Sequence, residues 1–173
     1  MPFRQWVLLA ALVVAGHARA AEALPWKFGM SPDDVRAVSA FGPYRSFSNG
    51  DLETYRGQWD GREENVQFYF ADGKLHRVSV YLYEGADLED AAVYWAALRR
   101  SMERHFGALD TPGNDAKADD RFQDAAKAAV GQGTRNFIAP VGSVGKPAYG
   151  IFKREQIEGK PVYFVILHFD LAP

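Results

Sequence analysis

Beyond residue 20 the chain carries three histidines, His76, His105 and His168, an acidic group at Asp110, Asp115, Asp119 and Asp120, and a serine set between glycines in Gly142-Ser143-Val144-Gly145. Each could do chemistry at the right spacing. Zinc binding on a helix wants histidines four apart or an H-E-x-x-H run, and these three have neither. A calcium loop alternates D-x-D-x-D-G, which the acidic group does not follow. A nucleophile elbow reads G-x-S-x-G at a strand-to-helix turn; here the first glycine directly precedes the serine, one residue too close, and the segment lies between strands. Gly145-Lys146 runs into Pro147 with no glycine five residues before Gly145, so there is no phosphate-binding loop. Gly131-Gln132-Gly133 lacks the third glycine of a dinucleotide fingerprint. The absence of cysteine removes thiol nucleophiles, disulfides, thiolate metal sites and a lipid-bearing N-terminal Cys. These residues name no catalytic group, no metal site and no cofactor, so the chain reads as a binding protein more readily than as an enzyme.

The aromatic residues carry the other signal. Twelve Phe, eight Tyr and four Trp make up 14% of the chain. If Ala71-Asp72-Gly73 is a three-residue hairpin loop, Phe70 faces Lys74, Phe68 faces His76 and Val66 faces Val78. Val66, Phe68, Phe70, Val78, Val80 and Leu82 then share one apolar face. A two-residue loop would set Val66 opposite Ser79 and Phe68 opposite Arg77, so the three-residue loop is expected. Tyr69, Tyr81 and Tyr83 then project from the opposite face, where Tyr55 and Trp59 can join them. Tyr and Trp bring large contact area at small rotamer cost, which suits the centre of an interface. A covered face would use the same rings as core. The partner-binding candidates are Tyr55, Trp59, Tyr69, Tyr81 and Tyr83.

The elements that must hold these rings are readable. Ser31 caps a short helix, with Pro32 at its first position, Asp34 at its third and Met30 set to pack on Val35; Gly42-Pro43 stops it near Phe41. Asn49-Gly50, Asp60-Gly61 and Asp72-Gly73 divide strands expected near 44–48, 51–59, 62–70 and 74–83, an antiparallel meander. A long helix follows over 88–106, capped by Asp87 and ended by Gly107, with Leu88, Ala91, Trp95, Leu98, Met102 and Phe106 along one side. Its Arg100 and Arg104, four apart, either grip an anion or sit on a solvated face. Residues 108–118 read as a polar, flexible loop, and 119–130 as an Ala-rich helix. Strands are expected near 134–140, 147–156 and 161–170, the last two joined by Glu158-Gly159. The expected fold is α+β: antiparallel sheet with helices packed on one face, in the order α-β4-α-α-β3. Phe41-Gly42 and Phe106-Gly107 each close a helix before sheet, which leaves a tandem pair of helix–sheet units open.

Residues 1–20 have the form of a secretory leader: Arg4, an apolar run of eleven residues from Trp6 to Gly16, and Ala18-Arg19-Ala20 as a small-x-small cleavage site. A bilayer core needs about 20 residues in a helix, so this run is too short to span it. Cleavage after Ala20 leaves Ala21 first and residues 21–173 as one domain, divisible into halves 21–85 and 86–173. It also removes Arg4 and Arg19, leaving 18 basic side chains against 22 acidic ones. That balance offers no basic stripe for nucleic acid or anionic lipid. A periplasmic or secreted protein without stable membrane insertion is expected.

Gly29-Met30-Ser31-Pro32-Asp33-Asp34-Val35, then Gly42-Pro43, then Val66-Gln67-Phe68-Tyr69-Phe70-Ala71-Asp72-Gly73-Lys74-Leu75 resembles the SmpA/OmlA (BamE-like) pattern over roughly residues 26–83. The layout is also similar to the β-lactamase-inhibitor-protein fold, which duplicates a helix–sheet unit. The resemblance implies an exported binding or scaffolding module whose aromatic sheet face meets a protein or envelope component, in its sharper form as an inhibitor. The alternative is a hydrolase or small-ligand carrier using His76, His168 and tyrosines in a pocket between the halves. A homodimer burying the aromatic face on itself is the third reading.

Overall fold

The computed structural model describes residues 24–142 and 148–171. The leader, its cleavage site after Ala20, Ser143 and Gly145-Lys146-Pro147 lie outside the described residues. Among the described residues the chain is α+β, one eight-stranded antiparallel sheet with three α-helices. In chain order these are α1 (Pro32–Arg36), β1 (Arg45–Ser46), β2 (Leu52–Trp59), β3 (Arg62–Ala71), β4 (Lys74–Gly85), α2 (Leu88–Phe106), β5 (Leu109–Asp110), α3 (Asp119–Gly131), β6 (Asn136–Pro140), β7 (Ala148–Ile157) and β8 (Lys160–Asp170). A 3-10 turn, Ser39–Phe41, follows α1.

The order therefore differs from α-β4-α-α-β3 by β5, a two-residue strand too short to leave an alternating signature. Across the sheet the strands run β1-β2-β3-β4-β8-β7-β6-β5. Each half contributes four consecutive strands, and the halves meet at β4 and β8. Both edges are two-residue strands, which present little unpaired backbone to other chains.

Local chemistry explains the elements. At α1 the Ser31 hydroxyl accepts from the Asp34 N–H while the Asp34 carboxylate accepts from the Ser31 N–H, a reciprocal capping box. Asp87 caps α2 by accepting from the Glu89 and Asp90 N–H groups at 2.8 and 3.1 Å. Asp60-Gly61, Asp72-Gly73 and Glu158-Gly159 each hold both residues at positive φ and link directly paired strand ends, the type I′ geometry. α1 is shorter than the three turns allowed from sequence, and β1 spans only two of the five residues expected.

The loop between β3 and β4 corrects the expected register. Ala71 pairs with Lys74, so the turn is two residues, Asp72-Gly73, and not three. A one-residue slip between Tyr69 and Phe70 then places His76 as an extra residue on β4. Beyond it Phe68 faces Val78 and Val66 faces Val80, so the apolar residues meet after all.

These side chains form one core. Leu52, Trp59, Val66, Phe68, Val78, Val80, Phe152, Val165, Leu167 and Phe169 from the sheet join Trp95, Leu98 and Met102 of α2 and Phe122, Ala126 and Val130 of α3. α2 packs against β4 to β8, and α3 against α2, β6 and β7. The Trp95 ring stacks on Phe122 with centroids 6.0 Å apart and touches Phe152 at 5.9 Å. The segment 108–118, expected to be flexible, is anchored. Arg99, only 7% exposed, donates to the carbonyls of Ala116 and Lys117 and to the Asp119 carboxylate, and lies over the Phe122 ring.

Candidate functional site

Alternation along β4 and β8 sends Val78, Val80, Val165 and Leu167 to the core and Arg77, Ser79, Tyr81, Ile166, His168 and Asp170 to the second face. Pairing extends that face to Glu53 on β2, Asn65, Gln67 and Tyr69 on β3, and Tyr149, Ile151 and Lys153 on β7.

Two hydrogen-bonded groups organise it. In the first, Asn65 donates to the Glu53 carboxylate at 3.2 Å, Gln67 donates to Asn65 at 3.3 Å, and the Tyr69 hydroxyl donates to Gln67 at 2.7 Å. The Tyr69 and Tyr81 hydroxyl oxygens are 3.1 Å apart. Burial pushes the Tyr81 hydroxyl well above its ordinary pKa, and the hydrogen bond with Tyr69 adds to the shift. The Tyr81 ring lies edge-on to Phe164.

In the second group Arg77 donates twice to Asp170, at 2.6 and 2.8 Å, a bidentate pair across β4 and β8. Tyr149 also donates to Asp170, at 3.2 Å. Burial pushes the Asp170 carboxyl up, but the Arg77 hydrogen bonds and charge outweigh it and the net pKa is lowered. Beside this pair, Ser79 Oγ lies 2.7 Å from His168 Nδ1. Burial, with the Arg77 charge next, lowers the His168 pKa to about 4, so the ring is neutral at pH 7.

Serine, histidine and aspartate on one face invite comparison with a hydrolase, but the geometry differs. Ser79 is fully buried, and both Asp170 oxygens are engaged by Arg77 and Tyr149. A nucleophile must be reachable and its base must be oriented by a third group. This pair ties two strands together.

Of the five sequence candidates, Tyr69 and Tyr81 are joined on the second face. Tyr55, 56% exposed, stands near Glu53 and Glu84 with Arg45 over its ring at 5.4 Å. Tyr83 departs from the expected placement, and Trp59, which could have served either face, lies on the core side. A bulge at Leu82, where pairing steps from Tyr81–Ile166 to Tyr83–Val165, turns Tyr83 to the core side. There its ring meets Tyr94 of α2 at 5.3 Å and its hydroxyl donates to the Asp87 carbonyl. Trp59, 5% exposed, is turned inward after the irregularity between Thr54 and Gly57 and donates to Ser101 of α2 at 3.1 Å. No local sequence pattern groups Arg77 and Ser79 with His168 and Asp170. Their two-residue spacing was visible, but the β4–β8 pairing that unites them was not.

A separate cleft of about 260 Å³ lies between α2 and the ends of β2, β3 and β4, lined by Trp59, Asp60, Arg62, Glu64, Tyr94 and Arg104 among others. It falls between the two halves, as the carrier alternative required, yet neither His76 nor His168 lines it. Among the described residues no group of three or more His, Asp or Glu side chains could hold a metal ion. No described helix is long and apolar enough to cross a membrane. Compared with known proteins, the chain matches no family model, no curated protein and no solved structure.

Proposed function

We propose that this chain is an exported, periplasmic or secreted, non-catalytic binding protein that engages a protein or envelope component through the second face of its sheet. The observation that carries this reading is the Tyr69–Tyr81 hydroxyl pair, set on the same face as the exposed Tyr55. Hydrogen bonds hold the two paired rings in place, so little side-chain entropy is lost when a partner covers them. The helices serve as backing on one side and leave the other for contact. The strand order, four strands from each half meeting at β4 and β8 between two-residue edges, supports a tandem pair of helix–sheet units. An inhibitor of an envelope enzyme is the sharper form, in keeping with the resemblance to the β-lactamase-inhibitor-protein fold.

Affinity capture from an envelope fraction tests the reading, using the tagged chain, Tyr55→Ala and Tyr81→Ala. The wild type retrieves a defined partner, and each substitution weakens its retention about tenfold or more, as for interface anchors. Retrieval of nothing specific, or equal retrieval by the exposed-site variant Tyr55→Ala, contradicts it.

A further inference from the structure

The cleft beside α2 holds two carboxylates in contrasting states. Asp60, at the β2–β3 turn, takes hydrogen bonds from Arg104 at 2.8 Å and pairs with His105 at 2.7 Å. Burial raises its pKa, but hydrogen bonds from Ser101 and His105 outweigh that and the net shift is downward. Glu64, two residues past Arg62 on β3, has a side chain only 10% exposed, and none of the described residues donates a hydrogen bond to it. Its one ion pair is to Arg62 Nε at 3.5 Å, on a side chain 62% exposed whose guanidinium also reaches the Tyr94 hydroxyl and ring. A largely desolvated carboxylate to which no described protein group donates has acceptor capacity to spare, and a primary ammonium is the group that uses it best.

The rest of the lining restricts what that ammonium can belong to. Arg62, Arg100 and Arg104 line the cleft with Asp60 and Glu64, one more cation than anion. Arg104 is paired with Asp60 and Arg100 with Asp119, but these arginines keep 62% and 45% of their side chains exposed and have further N–H donors. A simple cation would meet three guanidinium groups. A simple anion would meet Glu64.

We propose that the cleft is a second binding site, distinct from the sheet face, for a small zwitterion of the amino-acid or dipeptide class, its ammonium on Glu64 and its carboxylate towards Arg100 and Arg104. The Tyr94 ring and Leu82 flank the ligand. Trp59, in the wall, reports its entry.

Alanine and alanyl-alanine with free termini are the probes, titrated against the chain by calorimetry and by backbone amide shifts. Saturable binding is expected, with shifts at Glu64, Tyr94 and Arg100. N-acetyl-alanyl-alanine, lacking the ammonium, and Glu64→Gln should each weaken binding about tenfold or more, the usual scale for a charge-assisted bond. Glu64→Gln should melt at or above the wild-type temperature, because it removes a buried charge, so lost binding will not reflect lost fold. The proposal is overturned if neither probe binds saturably, if the acetylated dipeptide binds equally well, if Glu64→Gln leaves affinity unchanged, or if the shifts fall on Tyr69 and Tyr81 instead.

Discussion

Ser79 and His168, 89 residues apart in sequence, face each other across β4 and β8 with 2.7 Å between Oγ and Nδ1. Two residues along the same strands, Arg77 donates to both carboxylate oxygens of Asp170. Together they make the seam between the two halves polar on one face, while Val78, Val80, Leu167 and Phe169 make it apolar on the other.

The seam should weaken in mild acid. The His168 pKa falls from 6.5 to about 4 on folding, so between those values the unfolded chain binds the extra proton and stability rises with pH. The contribution is complete above 6.5 and is lost as pH drops through about 4. A shift of this size corresponds to roughly 3 kcal/mol. Arg77, Asp170 and Lys153 are the charges that face the ring. Urea midpoints at pH 7 and pH 4.5 should separate clearly for the wild type and much less for His168→Gln. Equal separation of the midpoints in the two proteins would show that the histidine does not titrate as described.

Gly57 is required by close packing. A Cβ there would lie 2.1 Å from a Val66 methyl, a fully buried side chain on the paired strand. Gly57→Ala should therefore cost about 1–3 kcal/mol by overpacking. Adding Val66→Ala should recover part of the loss, giving a favourable coupling energy in a double-mutant cycle of melting temperatures. Additive losses would mean that the strain lies elsewhere.

Arg99 should control the order of the segment before α3. Arg99→Met removes donors to two carbonyls and to Asp119, so amide exchange over 111–118 should accelerate, with a stability loss of about 2 kcal/mol. Exchange at Tyr69 and Tyr81 should stay as in the wild type, since they lie on the other face of the sheet. A uniform acceleration would instead indicate global destabilisation.

How much of this was legible in the sequence depends on whether the signal was local. α2 occupies Leu88–Phe106 as its periodicity and caps indicated, because capping residues and an apolar stripe act within a few turns. The Asp-Gly turns were equally plain. What was missed lies at bulges. His76 and Leu82 each add one residue to β4 without a glycine to mark the place, and each shift changes register or face. The placement of Tyr83 failed for that reason, and Trp59 turned inward past a similar irregularity in β2. The Ser79–His168 and Arg77–Asp170 contacts needed the pairing of distant strands, which no local pattern encodes. Arg99 carries no mark separating a buried anchor from the exposed arginine beside it.

Contact through the second face is tested most directly by placing a photoreactive amino acid at Tyr55 or, as a control, at Val93, an exposed residue of α2. Irradiation in an envelope fraction should give a discrete heavier adduct from position 55 and none from position 93. Adducts only from position 93 would contradict the account, as would a position 55 that stays uncrosslinked while the chain demonstrably holds its partner.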